Sequence, residues 1–186
     1  MAFYMENASS IEKEDNMETN VLESKMKGLD SPTISTGNQV KSLVKEVRSL
    51  ENQVYSLTQR AERLQAAAAS EENPDNAADL LAKAQSCITE AGYYKRQANE
   101  MRSQISALRS TLISYSTQYK GFIVEAQRNM ESLNTTISRL HSVSGSYGNS
   151  QISAAMSAAQ SRVEQNRSIV EMCNRRVAWI NTVVNQ

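Results

Sequence analysis

The sequence has no surplus of charge: twenty acidic side chains balance twenty basic ones. Without a basic surplus, tracking a nucleic-acid backbone or an anionic membrane by electrostatics is excluded as a main activity. Cysteine is scarce. Two residues, Cys87 and Cys173, make neither a disulfide framework nor a metal-ligand set. There is one histidine, His141, and one tryptophan, Trp179, and aromatic residues make up only 5% of the chain. So few large rings suit thin helical seams better than a thick globular core. No apolar run is long enough to span a membrane. The opening stretch, MAFYMENASSIEKEDN, lacks the basic start and apolar centre of a cleavable leader. These absences set an expected location in the cytoplasm, or export without a cleaved signal.

Catalytic constellations are missing too. His141 lies at an expected helix end, where a cation is mildly favourable, and has no partner that would make it a base. The carboxylates follow solvated helix faces. There is no glycine-rich phosphate loop, no paired-carboxylate slot and no metal cluster. The expectation is a protein without enzymatic activity, cofactor or metal.

What is present is periodicity. Val40, Leu43, Val47, Leu50, Val54, Leu57, Ala61, Leu64 and Ala68 alternate steps of three and four, the spacing of a coiled-coil seam. Thr36 and Gln39 have capping-box spacing, so this helix is expected over about 36–70. Asn73 then offers an N-cap, with Pro74 at the first helical position, where no donor is lost. A second helix is expected over about 74–141. Its seam reads Leu81, Ala84, Ile88, Ala91, Tyr94, Ala98, Met101, Ile105, Leu108 and Leu112, and continues through Tyr119 and Leu133 to Leu140. A three-three step from Ile88 into Ala91–Tyr94–Ala98 and a four-four step at Phe122–Ala126–Met130 interrupt the alternation, beside Gly92 and Gly121. These glycines mark the expected bends. SVSGSYGNS (142–150) reads as a turn. A last helix over about 150–184 carries Ile152, Met156, Ala159, Val163, Asn166, Val170, Cys173, Val177, Ile180 and Val184.

A parallel homodimer through the first seam would set Glu46 against Glu51 of the other copy, so an internal partner fits better. Short connections make successive helices antiparallel neighbours. Folding about residues 71–75 sets Leu57 against Ile88, Leu64 against Leu81 and Glu51 near Lys95. Folding about 142–150 sets Leu133 against Ala159 and Met130 against Val163. The two outer helices would then tile the central one end to end. The fold class expected is all-α: an elongated antiparallel coiled-coil rod, with a long central helix flanked by two shorter ones. A compact bundle, with the central helix broken at Gly92 or Gly121, is the alternative. Residues 1–34 are polar and read as a disordered or partly helical tail, with Met17, Val21, Met26 and Leu29 as a weak amphipathic stretch stopped near Pro32. The helical domain is expected over 35–186.

Apolar residues outside the seams mark candidate contacts. Ile169, Met172, Trp179 and Val183 form a second stripe on the last helix. Ala107, Ser114 and Gly121, seven apart on the central helix, are expected beside it, making a shallow groove for another helix. Its occupant would be the protein's own first helix, another copy in a homo-oligomer, or a different partner protein. Asn166, in an otherwise apolar seam, is expected to fix register.

These features support a protein acting through protein–protein interaction. In shape and composition, a leaderless helical hairpin rich in Ala, Ser, Asn and Gln resembles the type VII helical-hairpin substrates of bacterial specialised secretion. Two family marks are absent: the turn reads SGSYGNS, with Tyr147 beside Gly148, in place of Trp-x-Gly, and the Tyr-xxx-Asp/Glu tail signal is missing. The alternative is an intracellular adaptor, chaperone or assembly scaffold, including a phage component, that holds a partner helix.

Overall fold

The computed structural model describes residues 2–144 and 150–186, with the side chains of 17–142 and 150–186. Among these residues there are three helices and no strand: α1 (Ala2–Ser70), α2 (Pro74–Ser144) and α3 (Ser150–Val184). The turn expected over 142–150 falls largely at 145–149, outside the described residues.

The α1–α2 break forms as its chemistry dictates. Asn73 Oδ1 accepts from the backbone N–H of Asp75 at 2.9 Å and of Asn76 at 3.3 Å, capping α2, and Pro74 opens the helix. Neither Gly92 nor Gly121 breaks α2, which is helical throughout its span.

Helix α1 departs from expectation. It begins at Ala2, not near Thr36, and carries Pro32 in its interior. Thr36 and Gln39 therefore lie mid-helix and cap nothing. The reason is that the seam does not stop at Val40. Thr19, Leu22, Met26 and Thr33 are buried, with Leu29 and Thr36 half-buried between them. Together with Val40, Val47, Ala61 and Ala68 they carry the same three-four spacing toward the N-terminus. A side chain buried on a neighbouring helix can offset the cost of one proline, and here several do.

The chain divides into two compact units. One comprises residues 36–110, in which α1 and α2 lie antiparallel as a hairpin two helices thick. Glu51 and Arg102 form an ion pair across it. Sequence spacing placed Glu51 near Lys95; its partner is one heptad further along α2. The α2 seam in this unit also differs. Leu80 and Cys87 turn inward, whereas Leu81 and Ile88, expected in the seam, are 52% and 43% exposed. With Leu80 and Cys87 in place, Ala77, Leu80, Ala84, Cys87, Ala91, Tyr94, Ala98, Met101 and Ile105 alternate three and four without a slip. The stammer expected at Ala91–Tyr94–Ala98 is therefore absent.

The other unit comprises residues up to Ser35 together with 111–185. Here three helices meet. Helix α1 runs antiparallel to α2, as Tyr119 meets Asp30 and Thr33, and parallel to α3, as Thr19 meets Asn166 and Asp30 meets Arg176. Leu133, Ala159 and Val163 form a buried cluster with Met130 and Ile137 packed against it, the α2–α3 layers read from the sequence. The end-to-end tiling expected for helices over 36–70 and 150–184 does not include residues 17–35 of α1, which share this level with α3. A tail read as polar supplies one of three walls.

Candidate interaction surfaces

The expected groove is not assembled. On α3, Ile169 and Val183 are buried, and Met172 and Trp179 are half-buried. Met172 and Trp179 face α1, lining a cavity of about 430 Å³ with Met26, Lys27, Asp30, Tyr119, Arg175 and Arg176. Ala107, Ser114 and Gly121 are exposed on α2, and a Cβ placed on Gly121 would meet nothing within 4 Å. Ala107 instead edges a shallow hollow in the 36–110 hairpin with Gln39, Ser42 and Leu43. The small residues lie two positions beyond the buried Ile105, Leu112 and Tyr119, which turns them away from the packed seam. At Met172 and Trp179 the α3 stripe faces the protein's own first helix.

Polar groups fasten that contact. Asn166 and Thr19 are both fully buried, and Asn166 Nδ2 donates to Thr19 Oγ1 at 3.0 Å and to the Arg162 carbonyl at 3.0 Å. Asn166 Oδ1 receives no hydrogen bond. Further along, one oxygen of Asp30 accepts from Arg176 Nε at 2.7 Å and Nη2 at 2.6 Å, and from the Tyr119 hydroxyl at 3.2 Å. The Arg176 guanidinium also lies 5.5 Å from the centre of the Trp179 ring, within cation–π range. Tyr119 packs edge-on to Phe122.

This environment disfavours anions on neighbouring groups. Burial, reinforced by the Asp30 carboxylate, pushes the Cys173 thiol from 9.0 up to about 11. Burial also raises the Tyr119 phenol above its usual value. A thiol held neutral in this way is a poor nucleophile. Cys87 and Cys173 are both free and buried. Among the described residues no group of three or more His, Cys, Asp or Glu is placed to hold a metal, and no helix is long and apolar enough to cross a membrane.

A second surface escaped the sequence reading. Leu81, Ile88, Lys95 and Arg102 recur every seven residues, so they share one flank of α2. The Glu51–Arg102 pair fixes which edge of α1 meets that flank. Tyr55, one turn beyond Glu51, lies on the same edge and is 66% exposed. Leu81 and Ile88 thus form an exposed apolar ridge on one flank of the hairpin, with Lys95 and then Tyr55 further along the same side. The signal was in the sequence as two adjacent apolar pairs, Leu80–Leu81 and Cys87–Ile88. Each pair offers two seams, and only packing shows which member turns in.

Comparison of the chain with protein-family models, curated proteins and solved structures found no match in any of the three. The surfaces themselves are therefore the basis for a functional reading.

Proposed function

We propose that this chain is a non-enzymatic, antiparallel coiled-coil scaffold that acts by docking an amphipathic helix of a partner protein. The observation that carries this reading is the exposed Leu81–Ile88 ridge of the 36–110 hairpin, with exposed Tyr55 further along the same side. A two-helix hairpin buries one stripe per helix, and many of its buried positions are alanine: Ala61, Ala68, Ala84, Ala91 and Ala98. Such thin layers bring the helices close and leave larger flanking side chains with no internal neighbour. Leu81 and Ile88, two turns apart, present a ridge that fits the groove of another helix. Fully covering one such side chain is worth about 1.5–3 kcal/mol.

The test places a photoactivatable crosslinking residue at position 81 or 88 in the producing cell, with Ser49, an exposed polar position on α1, as control. Positions 81 and 88 are expected to give one dominant protein adduct. The Leu81→Lys/Ile88→Lys variant should abolish an adduct formed from position 55 while keeping its helical circular dichroism. Adducts no stronger than at position 49 would overturn the reading. The fraction in which the adduct forms, cells or medium, shows whether the partner is met before or after export.

A further inference from the structure

We propose that residues 17–31 of α1 are a releasable strap, hinged at Gly28–Pro32, that opens from the α2–α3 face while the rest of the fold stays intact. The observations come from the three-helix unit and are independent of the hairpin flank.

The strap is held by a short apolar seam with polar contacts at both ends. Thr19 bonds Asn166 at one end, and Asp30 pairs with Arg176 and Tyr119 at the other. Between them only Leu22 and Met26 are buried apolar residues, while Met17 and Val21 point outward and are exposed. Polar contacts of this kind can be exchanged for water at small net cost, unlike apolar burial. The closed state is also imperfect. Asn166 Oδ1 is buried without a donor, and Met26 and Lys27 line a half-open cleft of about 430 Å³ together with Met172 and Trp179.

The hinge is written into the backbone. Pro32 has no N–H to give the Gly28 carbonyl, and its ring crowds that same carbonyl. Gly28 is itself the helical residue most costly in backbone entropy, and no packing demands it, since a Cβ there would meet nothing within 4 Å. The two weakest points of the helix therefore act on a single hydrogen bond. Beyond them, Thr33 is anchored to α2, where its hydroxyl lies 3.4 Å from that of Tyr119; the same hydroxyl donates back across the hinge to the Leu29 carbonyl at 2.7 Å, a bond that opening has to strain or break. Opening therefore stops at the proline. Segments with few buried apolar contacts open at lower free energy than the global fold.

The two buried cysteines report on this directly, because one lies in each unit. Cys173, fully buried beside Asp30, belongs to the unit that contains the strap, and Cys87 to the hairpin. The experiment uses the full chain in two single-thiol forms, Cys87→Ser and Cys173→Ser, and measures native-state alkylation by iodoacetamide. Leu22→Ala should speed Cys173 labelling about tenfold and leave Cys87 unchanged. Pro32→Ala, which restores the missing donor, should slow Cys173 labelling several-fold, again without effect on Cys87. Neither substitution alters a charge near the thiol. If Leu22→Ala destabilises the whole protein, Pro32→Ala still decides the matter. The proposal is overturned if the two cysteines change rate together, or if Pro32→Ala fails to slow Cys173.

Discussion

Replacing the buried polar pair Thr19/Asn166 by Val and Leu should make the protein more stable and less specific. Three terms set the magnitude. The unbonded Asn166 Oδ1 costs about 1–3 kcal/mol in lost hydration, and Leu in its place removes that cost. Loss of the Nδ2–Oγ1 hydrogen bond gives back about 1 kcal/mol. Leu shares the branched outline of Asn but is larger, so at this fully buried site the strain of fitting its two methyl groups offsets much of the apolar gain. Removing the orphaned oxygen still outweighs the single bond, for a net gain of about 1 kcal/mol. For a chain of this length that raises Tm by about 2–4 °C, measured by circular dichroism in a reversible thermal scan. Asn166→Leu alone should gain less, since the buried Thr19 hydroxyl then loses its partner. A polar residue in an apolar seam sets alignment. The double variant should therefore show mixed association states by light scattering. A Tm below that of the parent protein would refute the reasoning, because the hydrogen bond would then outweigh an unmet buried acceptor.

Two further outcomes follow from the same core. Leu133→Ala, next to Ala159 and Val163, leaves a space those small neighbours cannot fill and should cost about 3–4 kcal/mol in urea unfolding; a loss below about 1 kcal/mol would show the cluster to be loosely packed. Stability should also fall as pH rises from 9.0 toward about 11, because the Cys173 thiol ionises in the unfolded chain before it can in the folded one, so the folded state holds more protons. Cys173→Ala should flatten that part of the pH profile, and an unchanged slope would remove the thiol as its source; the raised Tyr119 phenol acts in the same direction and will leave a residual slope.

Much of the helix pattern was legible because it depends on short-range chemistry. Asn73–Pro74 fixes a start through hydrogen bonds within a few residues, and its capping geometry is the one the sequence implies. The last helix, expected over about 150–184, spans Ser150–Val184. Its cluster with α2, which joins Leu133, Met130 and Ile137 to Ala159 and Val163, was readable because every member is apolar and at helical spacing.

The failures share a different cause. Thr19, Thr33 and Thr36 extend the α1 seam, but a hydroxyl-bearing residue does not read as core, and Pro32 reads as a stop. The hydroxyls of Thr19 and Thr33 are acceptable inside because Asn166, the Leu29 carbonyl and Tyr119 satisfy them, and two of those three partners belong to other helices. The α3 stripe was legible only in part, for a related reason. Ile169 and Val183, read as lying outside the seam, are fully buried while Val170, Val177 and Val184 are half-buried, and the segment facing Met172 and Trp179 is more than a hundred residues away in sequence.

The sequence by itself determined that the chain is helical, where α2 starts, and which residues are apolar at helical spacing. Those properties come from backbone hydrogen bonding and side-chain period, which are local. Only the tertiary structure decided that Leu80 and Cys87 turn inward in place of Leu81 and Ile88, and that the polar first segment is a wall of the three-helix unit. Each of those choices compares the burial of one face with another against a distant helix, and no local pattern contains the energy of that contact.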